Sequence, residues 1–351
     1  MLASLDLTGD VIAYSYHDGN QIVTEYLRNT IGFRTRDLFQ NEAGLSALIR
    51  VAKDMIESTG VIVTDVAFTV PVYCNYAGRE RVKKAALASG MNVRSVLKGS
   101  LGAAFGLFQE ETPDGKTLFL CNVHSDYVEY MLYETEGNVL RTIGAASISF
   151  SRDSVSEDAN DLLKKTLDEL KALYTELGMT VGERDELLLL TVDEQAGAAG
   201  DSFKRILEAS FAKSPKSVPY EAAKGAFCHL MKIMDYHTDQ IRKCFPVDCS
   251  VEGISIGSGV GGELQEVFRR NTELPAQTTV DLSISYDNVL CFYAGNYRNR
   301  DFDEPIGTCR IPEQYRSQTV HVKITLNENG IVEYVVLDKN RQVIYPRRVL
   351  S

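Results

Sequence analysis

HVKITLNENGIVEYVVLDKN, residues 321–340, decides the fold of the last third of this chain. Two further stretches precede it: NTELP at residues 271–275 and YAGNYRNRDFDEPIGTCRI at residues 293–311. Each is a short run of β-favouring residues, and turns rich in Gly, Asn, Asp or Pro separate them, which is the pattern of strands joined by tight connections. No convincing helical periodicity lies between them. The sequence therefore predicts an all-β domain over residues 251–351.

These three stretches, in this order, resemble the substrate-binding β domain of the DnaK-type (70-kDa) heat-shock chaperones. The family carries an N-T-T-I-P turn, a strand with N-x-x-L-G, and a pair of strands around D-x-x-G-I-L. The resemblance implies an all-β peptide-binding sandwich. Because the sequence ends directly after the last predicted strand, we expect this domain to have no helical lid.

Strands and helices alternate before residue 241. Residues 2–19 read as a β-hairpin, the apolar spacing of residues 45–58 predicts a helix, and residues 63–71 and 187–192 predict buried strands. Residues 158–177 predict a long amphipathic helix. This alternation predicts an α/β domain over residues 1–241, followed by a linker at residues 242–250.

The first domain resembles the ATPase half of the same family. TVPVYCNYAGRERVKKAALASGMNVRSVLKGSLGAAFG at residues 69–106 and FAKSPKSVPYEAAKGAF at residues 211–227 carry this likeness. It implies an actin-like (ribonuclease H-type) core. The short spacings before residue 63 and between residues 143 and 158 imply that both upper lobes of that core are absent.

The resemblance also locates the turns that bind nucleotide in the family, and these turns are altered here. The aligned positions are Asp6, Thr8, Gly9, Asp10, Asn122, His124, Ser125, Asp126, Thr191 and Asp193. Family glycines, which let backbone N–H groups approach phosphates, are largely replaced, and extra carboxylates have entered. A carboxylate about 4 Å from a phosphate charge costs roughly 1 to 4 kcal/mol. The family's catalytic glutamate aligns with Gly99. We therefore expect a pseudo-ATPase with no catalytic residue and no cofactor.

Two family positions are kept. Pro71 and Arg79 match a proline and an arginine that relay the nucleotide state in the family. A proline that ends a strand and an arginine on the next helix also fit ordinary packing, and we favour that interpretation.

A glycine-rich stretch, GSGVGG at residues 257–262, fits the dinucleotide-binding pattern but lacks a surrounding βαβ unit, so we interpret it as a loop between strands. In the family this loop and a neighbouring one arch over a bound peptide. The aligned peptide-binding positions are Gly257, Gly259, Val260, Leu282, Ile284, Asn288 and Val289. The second loop is shorter than in the family, Val260 replaces a larger residue, and no lid is expected. We therefore expect fast release of generic peptides.

Composition limits the classes of partner. The formal net charge is −11 and no Lys/Arg-rich stripe occurs, which argues against a nucleic-acid partner bound through its phosphates. No apolar run has the length of a membrane span. Seven cysteines without a C-x-x-C pattern indicate reduced thiols and a cytoplasmic protein, and Cys244 and Cys249 lack further ligands at zinc spacing. We expect no metal site.

Together these features favour a nucleotide-independent, atypical member of the heat-shock 70 family. Its plan resembles the Ssz-type subunit of the ribosome-associated complex, which implies a J-domain protein and the ribosome as partners. A passive holdase for unfolded chains and an architectural subunit of a larger assembly remain as alternatives, and an active ATPase is a further one.

Overall fold

A computed structural model of the chain describes residues 1–28, 35–110, 115–150, 159–182, 186–193, 196, 199–237, 245–250, 252–295 and 305–350. It is a mixed α/β structure with four sheets. The chain divides into two compact units. The first comprises Met1–Cys74 and Arg81–Asp248, and the second comprises Asn75–Glu80 and Cys249–Ser351.

The first sheet of the first unit has five strands: β1 (Leu2–Asp6), β2 (Val11–His17), β3 (Ile22–Arg28), β4 (Asp65–Val70) and β5 (Asn92–Lys98). Their order is β3-β2-β1-β4-β5. β1, β2 and β3 are antiparallel neighbours, whereas β4 is parallel to both β1 and β5. The predicted hairpin at the N-terminus is therefore present.

The second sheet of this unit has six strands: β6 (Thr117–Val123), β7 (Tyr127–Glu136), β8 (Val139–Ser149), β9 (Leu187–Val192), β10 (Lys216–Ser217) and β11 (Phe245–Val247). Their order is β10-β9-β6-β7-β8-β11. β6 to β10 repeat the order and the strand directions of β1 to β5. The unit thus contains the same five-stranded pattern twice.

Seven helices accompany these strands in the described residues: α1 (Thr35–Leu38), α2 (Glu42–Ser58), α3 (Tyr76–Ala88), α4 (Gly99–Glu110), α5 (Ala159–Glu176), α6 (Ala199–Phe211) and α7 (Ala222–Ile233). α2 begins three residues before the predicted helix because Asn41 caps it, its side chain accepting from the Gly44 N–H at 2.9 Å. α4 and α7 cross very closely. A Cβ on Gly225 would lie 1.8 Å from the Gly102 carbonyl oxygen, so glycine is required there.

The second unit is built from eight strands: β12 (Gly253–Ser258), β13 (Leu264–Phe268), β14 (Ala276–Ser283), β15 (Val289–Gly295), β16 (Gly307–Arg310), β17 (Thr319–Leu326), β18 (Val332–Leu337) and β19 (Val343–Val349). They form two antiparallel sheets, β13-β12-β15-β16 and β14-β17-β18-β19. Burial alternates along β17, where Val320, Val322 and Ile324 are fully buried. Both sheets contribute to one apolar core, which gives the expected all-β sandwich.

The first turn of α3 belongs to this second unit. Tyr76 packs in its apolar core, and Arg79 is 2% exposed. The Arg79 Nη1 donates to the Asn329 carbonyl oxygen at 2.9 Å, in the turn between β17 and β18. Arg79 is therefore a buried, packed side chain, and it bonds to Asn329, which is far away in the sequence.

The expected linker at residues 242–250 needs correction. Phe245–Val247 is the strand β11, which pairs in parallel with Val139–Arg141 of β8. Pro246 is compatible with this strand because β11 is the last strand of its sheet, where a missing N–H can face outward. The division between the units falls between Asp248 and Cys249. Residues 242–244 lie outside the described residues.

Candidate functional site

The two hairpin turns between β1 and β2 and between β6 and β7 meet in the first unit. The Tyr127 hydroxyl donates to the Thr8 carbonyl oxygen at 2.6 Å, and the Ser125 hydroxyl donates to Asp10 Oδ2 at 3.3 Å. A Cβ on Gly9 would lie 3.2 Å from Asp193 Oδ2. Positions from all three aligned motifs therefore come together, although they are far apart in sequence.

Asp6 lies at the end of β1 and is 4% exposed. Its Oδ1 accepts from the Thr69 hydroxyl at 2.6 Å, the Thr8 hydroxyl at 2.7 Å and the Thr8 N–H at 3.2 Å. Burial raises the pKa of Asp6 to about 6, although these donors and His124 partly oppose the rise. The carboxyl group is thus already engaged by its own neighbours.

Aromatic side chains fill the space next to Thr8. The Tyr220 hydroxyl donates to Thr8 Oγ1 at 3.0 Å. The His124 ring stacks on Tyr127 with centroids 4.2 Å apart, and its edge meets Tyr220 at 5.4 Å. A Cβ on Gly99 would lie 2.3 Å from both Thr8 Cγ2 and Tyr220 Oη. The absence of a side chain at Gly99 therefore makes room for Tyr220.

A chain of polar side chains continues from this point into the unit. Thr191 Oγ1 donates to Asn122 Oδ1, and Asn122 Nδ2 donates to the Ser100 hydroxyl. Ser100 in turn donates to Glu129 Oε2. Every member of this chain is at most 2% exposed. Such a connected network satisfies its polar groups, and so stabilises one arrangement of the strands that carry them.

Glu129 ends this chain and is fully buried. Its Oε1 accepts the Val72 N–H at 2.6 Å, and His124 Nε2 lies 3.9 Å from Oε2. Burial alone would raise the pKa of Glu129, but His124, Ser100 and the Val72 N–H outweigh it and lower the pKa below its ordinary range. Glu129 is therefore a buried carboxyl group whose partners favour its charged form.

The sequence reasoning missed Glu129, Tyr127 and Tyr220 as members of this site. Glu129 carried a signal, because a lone carboxylate inside the apolar strand YVEYMLY is rarely buried without partners. Asp126, by contrast, is only half buried, and its carbonyl oxygen accepts the Phe150 N–H at 2.9 Å. It lies in the same turn, but it is not one of the side chains whose hydrogen bonds lead from Thr191 to Glu129.

A buried ion pair lies at the end of the first unit. Lys98 Nζ contacts Asp248 Oδ1, and these side chains are 0% and 3% exposed. Lys98 ends β5, and Asp248 directly follows β11. This pair therefore connects the first sheet of the unit to the end of its second sheet.

In the second unit, the loops after β12 and after β14 are bonded to each other. The Gly259 N–H donates to the Val289 carbonyl oxygen at 2.7 Å, and the Ser285 N–H donates to Ser258 Oγ at 2.6 Å. Hydrogen bonds from the Ser285 hydroxyl and from the Val289 and Val260 N–H groups lower the pKa of Asp287. Gly259 has a φ of +85°, which suits glycine.

The seven aligned peptide-binding residues fall into different environments. Leu282 and Ile284 are buried in the core of the sandwich, so their described role is packing. Gly257 is buried within β12, Asn288 is buried in the loop, and Val289 begins β15. Val260 differs from all of these because it is 74% exposed.

Within the described parts of the chain, no cluster of three or more His, Cys, Asp or Glu could hold a metal ion. No helix in those parts is long and apolar enough to cross a membrane. No family model and no curated protein matches this sequence.

Proposed function

We propose that this protein is a nucleotide-independent relative of the heat-shock 70 chaperones that binds a protein partner. On this proposal the first unit is an actin-like (ribonuclease H-type) core. The strand order β3-β2-β1-β4-β5 and its repetition in β6 to β10 support it, because such a core consists of two copies of this sheet. The two antiparallel sheets of the second unit support the peptide-binding β domain.

The observation that carries the proposal is the filled space at Thr8. In the resembled family, the two hairpin turns hold phosphates through glycine backbone. Here the Tyr127 and Tyr220 hydroxyls both bond to Thr8, and the His124 ring packs against both tyrosine rings. A phosphate group would have to displace these rings and then face Asp6 and Asp10, which adds a charge penalty of roughly 1 to 4 kcal/mol for each carboxylate at about 4 Å.

The proposed partner surface is the exposed tip of the two bonded loops of the second unit. Val260 is 74% exposed and Tyr286 is 82% exposed, and the Arg316 guanidinium lies 4.5 Å from the centre of the Tyr286 ring. Tyrosine and arginine are enriched among the residues that dominate binding in protein interfaces. The proposed partner is a J-domain protein, with the ribosome as the associated assembly and the cytoplasm as the compartment.

The nucleotide half of this proposal is tested by calorimetry and thermal melting with millimolar ATP-Mg. We expect no heat of binding and no shift of the melting temperature. A rise of several degrees would contradict the proposal, because it requires a dissociation constant far below the ligand concentration. The same two measurements are made on the variant Tyr220→Ala, which removes one of the rings next to Thr8, as the matched comparison.

The partner half is tested by affinity purification from the native cell, followed by mass spectrometry. We expect a stoichiometric partner with the natural chain, and its loss with Val260→Asp. Val343→Asp changes another exposed valine, 60% exposed on β19, and should leave the partner bound. A broad spread of nascent chains would favour the passive holdase instead. Retention of the partner by Val260→Asp would contradict the proposed surface.

A further inference from the structure

β3, an outer strand of the first sheet, has a counterpart in the second sheet. It corresponds to β8, because β6 to β10 repeat the order and the strand directions of β1 to β5. In the second sheet a sixth strand, β11, pairs in parallel with the start of β8. Among the described residues, no strand pairs with the outer side of β3. The place that β11 takes in one copy of the pattern is therefore not taken by any described strand in the other.

The backbone groups of β3 alternate between its two sides. The Asp18 N–H donates to the Gln21 carbonyl oxygen at 3.2 Å, so Gln21 is directed toward β2. In an antiparallel pair, successive residues direct their N–H and C=O groups to opposite sides. Ile22, Thr24 and Tyr26 therefore direct theirs to the outer side of the sheet. Such a row of outward groups is a template on which a further strand can pair.

β3 lacks the features that prevent pairing at other sheet edges. Natural edges are kept short, or they carry lysine or proline. β10 has two residues and β11 contains Pro246, whereas β3 (Ile22–Arg28) has seven residues and contains neither lysine nor proline. Its one acid, Glu25, accepts the Tyr14 hydroxyl at 2.5 Å and is thus engaged within the sheet. The length and composition of β3 therefore favour pairing with a further strand.

β11 shows how such a strand is bound. The Phe245 N–H donates to the Asn138 carbonyl oxygen at 2.7 Å, and Phe245 is paired with Val139. Alternation of the backbone then directs the Val247 N–H toward β8 and the Pro246 nitrogen away from it. A strand bound in this way uses the N–H groups of its first and third residues, and it does not need the N–H of its second.

The same arrangement can be transferred to β3. Its first outward acceptor is the Ile22 carbonyl oxygen, which corresponds to that of Asn138. The register of β11 then places the first residue of an added strand beside Val23, the second beside Thr24 and the third beside Glu25. Paired residues point to the same face of a sheet. The first residue would therefore share a face with Val23, and the second would share the opposite face with Ile22 and Tyr26.

Both faces beside this edge favour apolar side chains. Val23 is half-buried and packs against the apolar core that the first sheet forms with α2. Ile22 is also half-buried, and the Tyr26 side chain is 66% exposed. Aromatic and β-branched side chains on neighbouring strands stabilise each other when they lie opposite or diagonal to one another. The Phe-Pro-Val sequence of β11 is of this apolar kind.

We propose that the outer edge of β3 binds an extended, apolar segment of a partner protein as a parallel strand, in the way that β8 binds β11. An extended peptide that adds to a sheet edge gains affinity from backbone hydrogen bonds and specificity from its alternate side chains. The site is separate from the loop tips of the second unit and does not depend on the proposed function. It would give the first unit a binding activity of its own.

The probe is a fluorescent peptide, Lys-Ser-Phe-Pro-Val-Asp-Ser, titrated into the full-length protein. We expect saturable binding and slower amide hydrogen exchange across residues 22–26. Methylating the valine nitrogen of the peptide should weaken binding about tenfold or more, because that N–H donates to the edge and would be lost. Replacing the proline of the peptide by alanine should change binding little, since the nitrogen at that position faces away from β3.

The test variant is Thr24→Pro, which removes an outward N–H of β3. Proline is tolerated on an edge strand where the N–H faces outward, so the bonds between β3 and β2 should remain. We expect peptide binding to weaken about tenfold. Thr24→Val is the matched control, because both variants lose the 2.8 Å hydroxyl contact with Ser15 while valine keeps the N–H. The methylated peptide tests the same edge on the natural chain, so the test does not depend on the folding of Thr24→Pro.

Four results would overturn the proposal. The first is no binding of the peptide, and the second is equal binding of the methylated and unmethylated peptides or equal binding by Thr24→Pro and Thr24→Val. The third is a change in hydrogen exchange at β8 with none at β3, which would mean that the peptide only displaces β11. The fourth is dimerisation that Thr24→Pro abolishes, which would make a second copy of this chain the occupant.

Discussion

Removing one member of the Lys98–Asp248 pair should destabilise the first unit severely. Both side chains are almost completely buried, at 0% and 3% exposure. Lys98→Met leaves the Asp248 carboxylate in the interior without its ammonium partner. Breaking a buried ion pair in this way costs about 3–5 kcal/mol, most of it the cost of the stranded charge. In a unit of this size that corresponds to a fall in melting temperature of about 6–20 °C.

The double variant Lys98→Met with Asp248→Leu separates the cost of the stranded charge from the value of the pair. Because neither charge of the pair remains, we expect it to recover most of the lost stability. The chain has no tryptophan, so unfolding is followed by far-ultraviolet circular dichroism in urea. The coupling free energy between the two positions follows from the four midpoints and slopes.

A surface pair in the same unit provides the control. Arg94 Nε lies 2.7 Å from Asp65 Oδ1, but the Arg94 side chain is 45% exposed. Arg94→Met should therefore cost about 1 kcal/mol or less. A cost for Lys98→Met as small as that of Arg94→Met, or a double variant no more stable than either single one, would refute the burial argument.

Three further changes have predictable outcomes. Gly99→Ala should lower the free energy of unfolding, measured in urea, by about 1–3 kcal/mol, because its Cβ would overlap Tyr220. Asp6→Asn should flatten the dependence of melting temperature on pH between about 4 and 6. The pKa of Asp6 is raised by folding to about 6, so the folded state holds its proton more tightly and loses stability as pH rises through that window, by up to about 3 kcal/mol. Arg79→Met should cost the second unit about 1.5–3 kcal/mol, since it removes a buried charged hydrogen bond to Asn329.

Each of these three has its own check. The tightest contact of a Cβ on Gly9 is with the flexible end of Asp193, at 3.2 Å, so Gly9→Ala should cost less than Gly99→Ala, and the reverse order would contradict the packing argument. An unchanged pH slope in Asp6→Asn would show that another group titrates. Arg316, whose side chain is 37% exposed at its ion pair with Glu313, is the control for Arg79, and Arg316→Met should be nearly neutral.

Local features of this fold could be predicted from the sequence. The sequence pattern directly predicts the alternating burial along β17, the apolar face of α2 and the strand at residues 187–192. These elements depend on neighbours a few residues away. For the same reason, the hairpin turns at residues 7–10 and 124–126 could be located as turns from the sequence.

The contact of Tyr220 with Thr8 in the candidate site could not be predicted in this way. Tyr220 and Thr8 are separated by most of the first unit, and nothing in the segment SVPYE marks its tyrosine as the partner of a threonine near the N-terminus. Likewise, residues 242–250 were expected to be a linker because the alternation of strands and helices ends there. Residues 245–247 instead form β11 by pairing with β8, which is far away in the sequence, and the edge of a sheet tolerates Pro246.

The second unit combines two segments that are far apart in the sequence, and this separation affects the order in which its parts are synthesised. Tyr76 and Arg79 are made early, whereas the strands that bury them begin at Gly253. About 170 residues separate the two segments, so at the usual rate of elongation about 10–30 s pass before their partners exist. During that interval the first turn of α3 is without the partners that bury it in the folded chain. The second unit therefore completes its core only after the chain that carries the first unit has already been made.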